Sequence, residues 1–177
     1  MKNNLCRKHF QYKNGMFFID KTRMVLVNDK YSMGIFLSLE KIVGPMAKTI
    51  VSTAAKEATQ DFLKNILKKN LIMKVAAMTL MGQKKIIEGI LRDYYPLLGY
   101  GNGKITKFSK DEIVVEITNS VNAEKPINPK SKEVGCITDV AVVQGLIELL
   151  TKKEWNGVES RCEMRGDSHC EFHYFPK

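Results

Sequence analysis

Two periods of apolar and polar residues alternate along the chain, and each change of period marks an element. Phe17-Phe18-Ile19 and Met24-Val25-Leu26-Val27 enclose the polar Asp20-Lys21-Thr22-Arg23, a pattern of two short strands or a hairpin. From Tyr31 to about Leu67 the period becomes helical, with apolar residues at Ile50/Val51, Ala54/Ala55, Ala58, Phe62 and Ile66. Gly44-Pro45 divides that stretch, because proline disfavours helical backbone in the residue before it. Leu71 to about Tyr95 reads as a second long helix closed by Pro96 and Gly99. Lys104–Phe108 and Ile113–Thr118 read as strands around the turn residues Ser109-Lys110-Asp111, and Asn119–Glu133, with Pro126 and Pro129, reads as a loop. A helix over roughly Cys136–Thr151 and two closing strands complete the order. Helices and strands come in runs rather than in strict alternation, so the expected class is α+β, an antiparallel sheet packed with long helices.

The closing strands allow a sharper reading. With Gly166 at the centre of the Arg165-Gly166-Asp167 turn, Cys162 falls opposite Cys170, Arg161 opposite Glu171 and Glu163 opposite His169. Alternation then puts Cys162, Met164, Phe172 and Tyr174 on an inner face and the charged residues, with His169 and His173, on an outer one. On the last helix Cys136 begins the stripe Cys136, Val140, Val143, Ile147, Leu150, which repeats at three- and four-residue intervals and should pack on the sheet. A helix start also favours a thiolate, through its dipole and free N–H groups.

Those cysteines are the candidate chemistry. Cys162 and Cys170, with Glu159 upstream, form E-x2-C-x7-C, and Cys136 can join them to make a set of the kind zinc prefers. Strand parity counts against Glu159, an odd number of residues from Cys162, unless a bulge or twist near Asn156-Gly157 turns it inward; on spacing alone water or another group is favoured to complete the site. His169 and His173 fall on the charged face, and His9 is remote in sequence. Two other readings stay open on spacing alone: a Cys162–Cys170 redox pair, and three inert core cysteines.

Composition bounds the rest. The 177 residues, 44% hydrophobic and 27% charged, suit one domain over residues 1–177, with strands in 1–30 and a helix plus metal-binding hairpin in 136–177. The longest apolar stretch, Leu71–Gly82, is broken by Lys74 and falls short of the ~20 residues of a membrane span, and Met1-Lys2-Asn3-Asn4 leads into no secretory h-region. A cytoplasmic protein with no membrane partner is expected. The net charge of +9 is carried partly by the doublets Lys68/Lys69, Lys84/Lys85 and Lys152/Lys153, with no interleaved aromatics, a pattern of solvated surface rather than direct nucleic-acid contact. The chain has no dinucleotide-binding glycine loop, P-loop or nucleophile elbow.

The run from Glu159 to Phe172, Glu-Ser-Arg-Cys-Glu-Met-Arg-Gly-Asp-Ser-His-Cys-Glu-Phe, resembles the C-terminal signature of the 4-vinyl-reductase-type domain family. That family includes stand-alone archaeal proteins, proteins linked to bacteriochlorophyll synthesis, and sensory input domains of phenol-responsive activators. Gly34-Ile35-Phe36-Leu37, Leu98-Gly99-Tyr100-Gly101 and the segment from Gly135-Cys136 to Gly145 are similar to its other conserved stretches. The resemblance implies a fold related to nitric-oxide-sensing domains and vesicle-tethering subunits, commonly dimeric. It implies zinc on Cys136, Glu159, Cys162 and Cys170, beside an apolar pocket for a small hydrophobic or aromatic ligand. The histidine and tryptophan that line the family's phenol pocket have no counterparts in this chain. A sensory or ligand-binding module with no catalytic residue is the function expected; a tetrapyrrole vinyl reductase or an accessory to one, or a thiol redox sensor, is the alternative. Met46, Met73, Met78 and Met81 read first as core residues and second as a dimer or pocket surface, and Cys6 is left as an accessible thiol.

Overall fold

The computed structural model describes residues 10–19, 22–25, 29–123 and 136–177. Cys6, His9, Leu26, Val27 and the proline-bearing part of the 119–133 loop lie outside them. The N-terminal part is a three-stranded antiparallel sheet: β1 (Phe10–Lys13), β2 (Met16–Ile19) and β3 (Thr22–Met24), with Phe17 opposite Met24 as the hairpin reading requires. The additional strand β1 is joined through Asn14-Gly15, both at positive φ (51° and 74°), which is the backbone a tight hairpin turn needs. That Asn-Gly pair was a legible signal.

Helices α1 (Asp29–Val43) and α2 (Met46–Lys69) are separated at Gly44-Pro45, where Gly44 adopts φ 59°. The expected single helix from Leu71 to Tyr95 is instead broken. α3 (Leu71–Ala76) ends at Ala77, and Thr79 starts α4 (Leu80–Gly89) by accepting the Gly82 N–H at 3.1 Å. The break is tight: a Cβ on Gly82 would lie 1.9 Å from the Ala76 carbonyl oxygen. A π-turn over Ile90–Tyr94 carries the backbone into the single turn α5 (Tyr95–Leu97), so Pro96 is accommodated rather than terminating. Gly99, at φ 80°, closes the segment, with the Tyr100 N–H reaching the Tyr95 carbonyl.

The second sheet is antiparallel, in the order β4 (Asn102–Phe108), β5 (Ile113–Thr118), β7 (Cys170–Pro176), β6 (Trp155–Arg161). Its inner face carries Ile113, Val115 and Ile117 opposite Tyr174, Phe172 and Cys170, all fully buried. Its outer face is charged: Lys104 pairs with Glu116 at 2.6 Å, and His173 meets Glu112 at 2.9 Å and Glu171 at 3.1 Å. Helix α6 (Ile137–Thr151) packs on the inner face through Val143, Leu146, Ile147 and Leu150. Its opposite side meets α2 closely, since a Cβ on Gly145 would come within 2.8 Å of the Lys56 carbonyl oxygen. Buried on both sides, α6 forms the centre of the α+β core. Among the described residues, no helix is long and apolar enough to cross a membrane.

Three of the four methionines read as core are exposed, namely Met46, Met78 and Met81, whereas Met73 packs against the core. Methionine carries no period of its own; the α3–α4 break sets which face Met73, Met78 and Met81 present, and Met46 stands at the exposed start of α2.

Candidate metal centre

Three elements bring four side chains to one point. Cys136 caps the start of α6, Glu159 projects from β6, Cys162 follows the end of β6, and Cys170 opens β7. Their ligand atoms all lie within 4.8 Å of one another. The Cys136 sulfur is 3.7 Å from that of Cys162 and 3.4 Å from that of Cys170. A disulfide would need about 2.05 Å. Sulfurs on a tetrahedral zinc with bonds of about 2.3 Å sit roughly 3.8 Å apart. All three cysteines are buried and free.

Glu159 is the residue parity argued against, and the structure shows why it is nevertheless present. Arg161 pairs with Glu171 as the sequence register requires, but Glu159 pairs with Phe172, so Ser160 is an extra residue in β6. One inserted residue reverses the alternation upstream of it, which swings Glu159 onto the inner face. The bulge lies at Ser160, closer to the cysteines than the Asn156-Gly157 position considered from sequence, and Ser160 Oγ donates to Glu171 Oε1 at 2.7 Å. The Glu159 side chain is 1% exposed, and among the described residues neither carboxylate oxygen has a hydrogen-bond partner. Burial, then the Cys162 thiol beside it, pushes the carboxyl up to about 7. Arg165 Nη2 lies 3.8 Å from Glu159 Oε2.

The turn is also wider than a hairpin centred on Gly166 requires. Cys162 is followed by a 3-10 turn, Glu163–Arg165, and Gly166 at φ 93°. Glu163 therefore does not face His169. Its carboxylate accepts the N–H groups of Asn119 (2.9 Å) and Ser120 (3.1 Å), tying the 119–120 segment to the turn. Two further contacts hold the sulfurs in place: Asp167 Oδ2 accepts the Cys162 N–H at 2.8 Å, and the Glu163 N–H points at the Cys170 sulfur at 3.4 Å. Sequence reasoning missed Asp167, although an Asp after a glycine turn is a common acceptor for backbone N–H groups.

Electrostatics fit a cation. Three crowded thiols and a buried carboxylate cannot all ionise by themselves. The Cys162 thiol is held far below its ordinary range by hydrogen bonds from Cys136 and then Cys170, while Cys136, bonded to those same sulfurs, is pushed far up. The Cys162 and Cys170 sulfurs, then burial, then the carboxylate of Asp139 push the Cys136 thiol up, opposite in direction to the effect of a helix start. Asp139, fully buried one turn further on, accepts from Tyr95 Oη (3.1 Å), Ser120 Oγ (2.6 Å) and Asn122 Nδ2 (2.9 Å), and burial still raises its pKa. Cys136, Glu159, Cys162 and Cys170 could therefore hold a metal ion.

A groove of about 700 Å³ lies at the other end of α6 from the cysteines. Leu67, Ala77, Met78 and Leu150 give it an apolar lining, and Lys64, Lys68, Lys74 and Lys152 also border it. Thr151 reaches the groove and accepts the Trp155 indole N–H at 2.9 Å.

No protein-family model matches the chain, and no curated protein matches it. Solved structures do. The phenol-responsive sensory domain of the transcription activator PoxR, determined with phenol, aligns at TM-score 0.76 and 11% identity, over 97% of this chain and 86% of that one. A trafficking protein particle complex subunit 3 from Naegleria fowleri, covalently bound to palmitic acid, aligns at TM-score 0.59 and 14% identity, over 85% and 97% of the two chains. A vinyl-4-reductase family protein from Methanocaldococcus jannaschii aligns at TM-score 0.53 and 13% identity, over 87% and 84%. H-NOX proteins are further matches. The fold is thus the α+β arrangement that the C-terminal signature implied, shared with a phenol-sensing domain and a vinyl-4-reductase family protein.

Proposed function

We propose that this chain is a ligand-binding sensory domain of the 4-vinyl-reductase type, in which a zinc ion on Cys136, Glu159, Cys162 and Cys170 holds the C-terminal half together. Glu159 carries the reading: a buried carboxylate among three thiols, with Arg165 at 3.8 Å but no hydrogen-bond partner among the described residues, is costly unless a cation sits between them. The donor set suits zinc, since thiolates are soft ligands and four protein groups close a tetrahedral site. A closed site has no position for substrate, so the ion's role is structural: it ties the start of α6 to the β6–β7 turn. Cys136, Cys162 and Cys170 supply thiolates, which suits a reducing cytoplasm, and Asp167 and the Glu163 N–H orient two of them.

A small hydrophobic molecule would enter the groove between α2, the α3–α4 turn and the end of α6. The similar folds support this class, one of them carrying phenol and another palmitic acid. A second copy would pack on the α1–α2 bend, where Ile42, Met46 and Ile50 are exposed.

Elemental analysis of the purified protein tests the zinc site. One zinc per chain is expected, with loss of zinc and a fall in melting temperature in a Cys162→Ser/Cys170→Ser variant. Protein that is metal-free, folded and insensitive to chelators would refute the site. Ligand entry is read separately from Trp155, the chain's one tryptophan, as a change in emission on titration with an anilinonaphthalene sulfonate.

A further inference from the structure

Between Asp61 and Glu88 the chain carries six lysines and no acidic residue, against a net charge of +9 for the whole. This stretch contains α3 and the start of α4, and its apolar side chains are unusually exposed: Leu71, Ile72, Val75, Met78 and Met81 are each 60–82% accessible. Leu71, Ile72 and Val75 share one side of α3, while Met73, Ala76 and Ala77 pack against the core. A short helix with apolar residues on both faces has one face to bury in the fold and one left over. Clusters of this kind mark interaction or membrane surfaces.

Charge decides between them. Tertiary structure adds Lys152 from the end of α6 to Lys64, Lys68 and Lys74 around the groove beside this apolar edge. Lys64 and Lys84 have partners on their own helices, Asp61 at 3.1 Å and Glu88 at 3.5 Å. Among the described residues no acidic side chain pairs with Lys68, Lys74 or Lys152. A symmetric contact with a second copy would bring these lysines against themselves, which is unfavourable. An anionic bilayer satisfies both features at once, since apolar side chains enter the acyl boundary while lysines meet headgroup phosphates and carboxylates.

We infer that the α3–α4 edge, with Leu71, Ile72, Val75, Met78 and Met81 as the inserting residues and Lys68, Lys74 and Lys152 around them, docks the protein peripherally on an anionic lipid surface. This departs from the sequence-based expectation of no membrane partner, which rested on the lack of a spanning segment. The inference does not depend on the zinc site, and Leu71, Ile72, Val75 and Met81 lie outside the groove lining that it shares through Met78, Lys68, Lys74 and Lys152.

Co-sedimentation of the full chain with vesicles tests it, comparing phosphatidylcholine alone with a mixture containing phosphatidylserine. Binding is expected only with the anionic mixture, falling about tenfold when salt is raised from 0.1 M to 0.5 M. Ile72→Glu/Val75→Glu and Lys68→Glu/Lys74→Glu should each lower binding by about tenfold or more with unchanged melting, because these side chains are at the surface. Absence of binding to anionic vesicles would overturn the inference, as would binding that both variants retain. Concentration-dependent dimerisation abolished by Ile72→Glu/Val75→Glu would overturn it too, assigning the edge to contact between copies.

Discussion

On the zinc reading Glu159 should behave oppositely with and without the ion, and that makes it the most informative single residue to test. Its folded-state carboxyl titrates near 7, above its ordinary 4.5. An acid raised in the folded state binds its proton more tightly there than when unfolded, so its ionisation removes stability as pH climbs from about 4.5 to about 7, and the cost stays in place above that. The shift corresponds to roughly 3 kcal/mol. Glu159→Gln at pH 8 should therefore raise the melting temperature of chelated protein by up to about 6–12 °C, at about 2–4 °C per kcal/mol for a chain of this size. The same substitution should lower the melting temperature of zinc-loaded protein and weaken zinc binding by about 100-fold. Scanning calorimetry of both forms checks the crossing; a variant less stable in both would mean that Glu159 is an ordinary structural residue. The residue type was visible in the sequence and its orientation was not, because one inserted residue in β6 reverses a parity argument that was sound for a regular strand.

At the scale of elements, α6 is the part most constrained by its neighbours. Its apolar stripe was readable, and Val143, Ile147 and Leu150 are buried as the spacing required. Its second contact, with α2, was not readable: Gly145 looks like a helix-weakening residue until Lys56 is seen against it. Gly145→Val would drive branched methyls into the Lys56 backbone, where nothing flexible can give way. Overpacking of this kind costs about 1–3 kcal/mol and exceeds the few tenths gained in helix propensity. Melting several degrees lower is expected, with the zinc content unchanged. The split of the Leu71–Tyr95 segment has a similar origin. Thr79 and Gly82 were present as cap and close-approach residues, yet apolar spacing runs through them unbroken, so the α3–α4 turn emerges only from the Thr79 cap and the contact of Gly82 with Ala76.

Across the whole molecule, the candidate metal centre and the groove lie at opposite ends of α6, about 20 Å apart for a helix of 15 residues. On the structural-zinc reading, removing the ion should loosen one end and spare the other. Hydrogen exchange after chelation is expected to speed at Asn119, Ser120, Cys162 and Glu163, whose amides are bonded within the turn, while α2 and α4 keep their protection. Uniform loss of protection would instead mean that the domain unfolds as one unit without metal. Charge shows the same dependence on scale. The lysine doublets looked scattered along the chain, and only folding gathers Lys68 and Lys152 around one groove.

By itself the sequence determined the α+β class, the helix break at Gly44-Pro45, the antiparallel strands and the membership of the Cys136/Cys162/Cys170 cluster. These follow from local backbone limits and from periodicity, both of which act over a few residues. Tertiary structure alone decided that Glu159 turns inward through the Ser160 bulge, that Glu163 anchors the 119–120 segment, that Met78 and Met81 face solvent, and that the groove sits far from the cysteines. Each of these depends on which residue of a distant element arrives opposite, and a one-residue change of register or a single close backbone approach alters it without changing the local pattern that sequence reading detects.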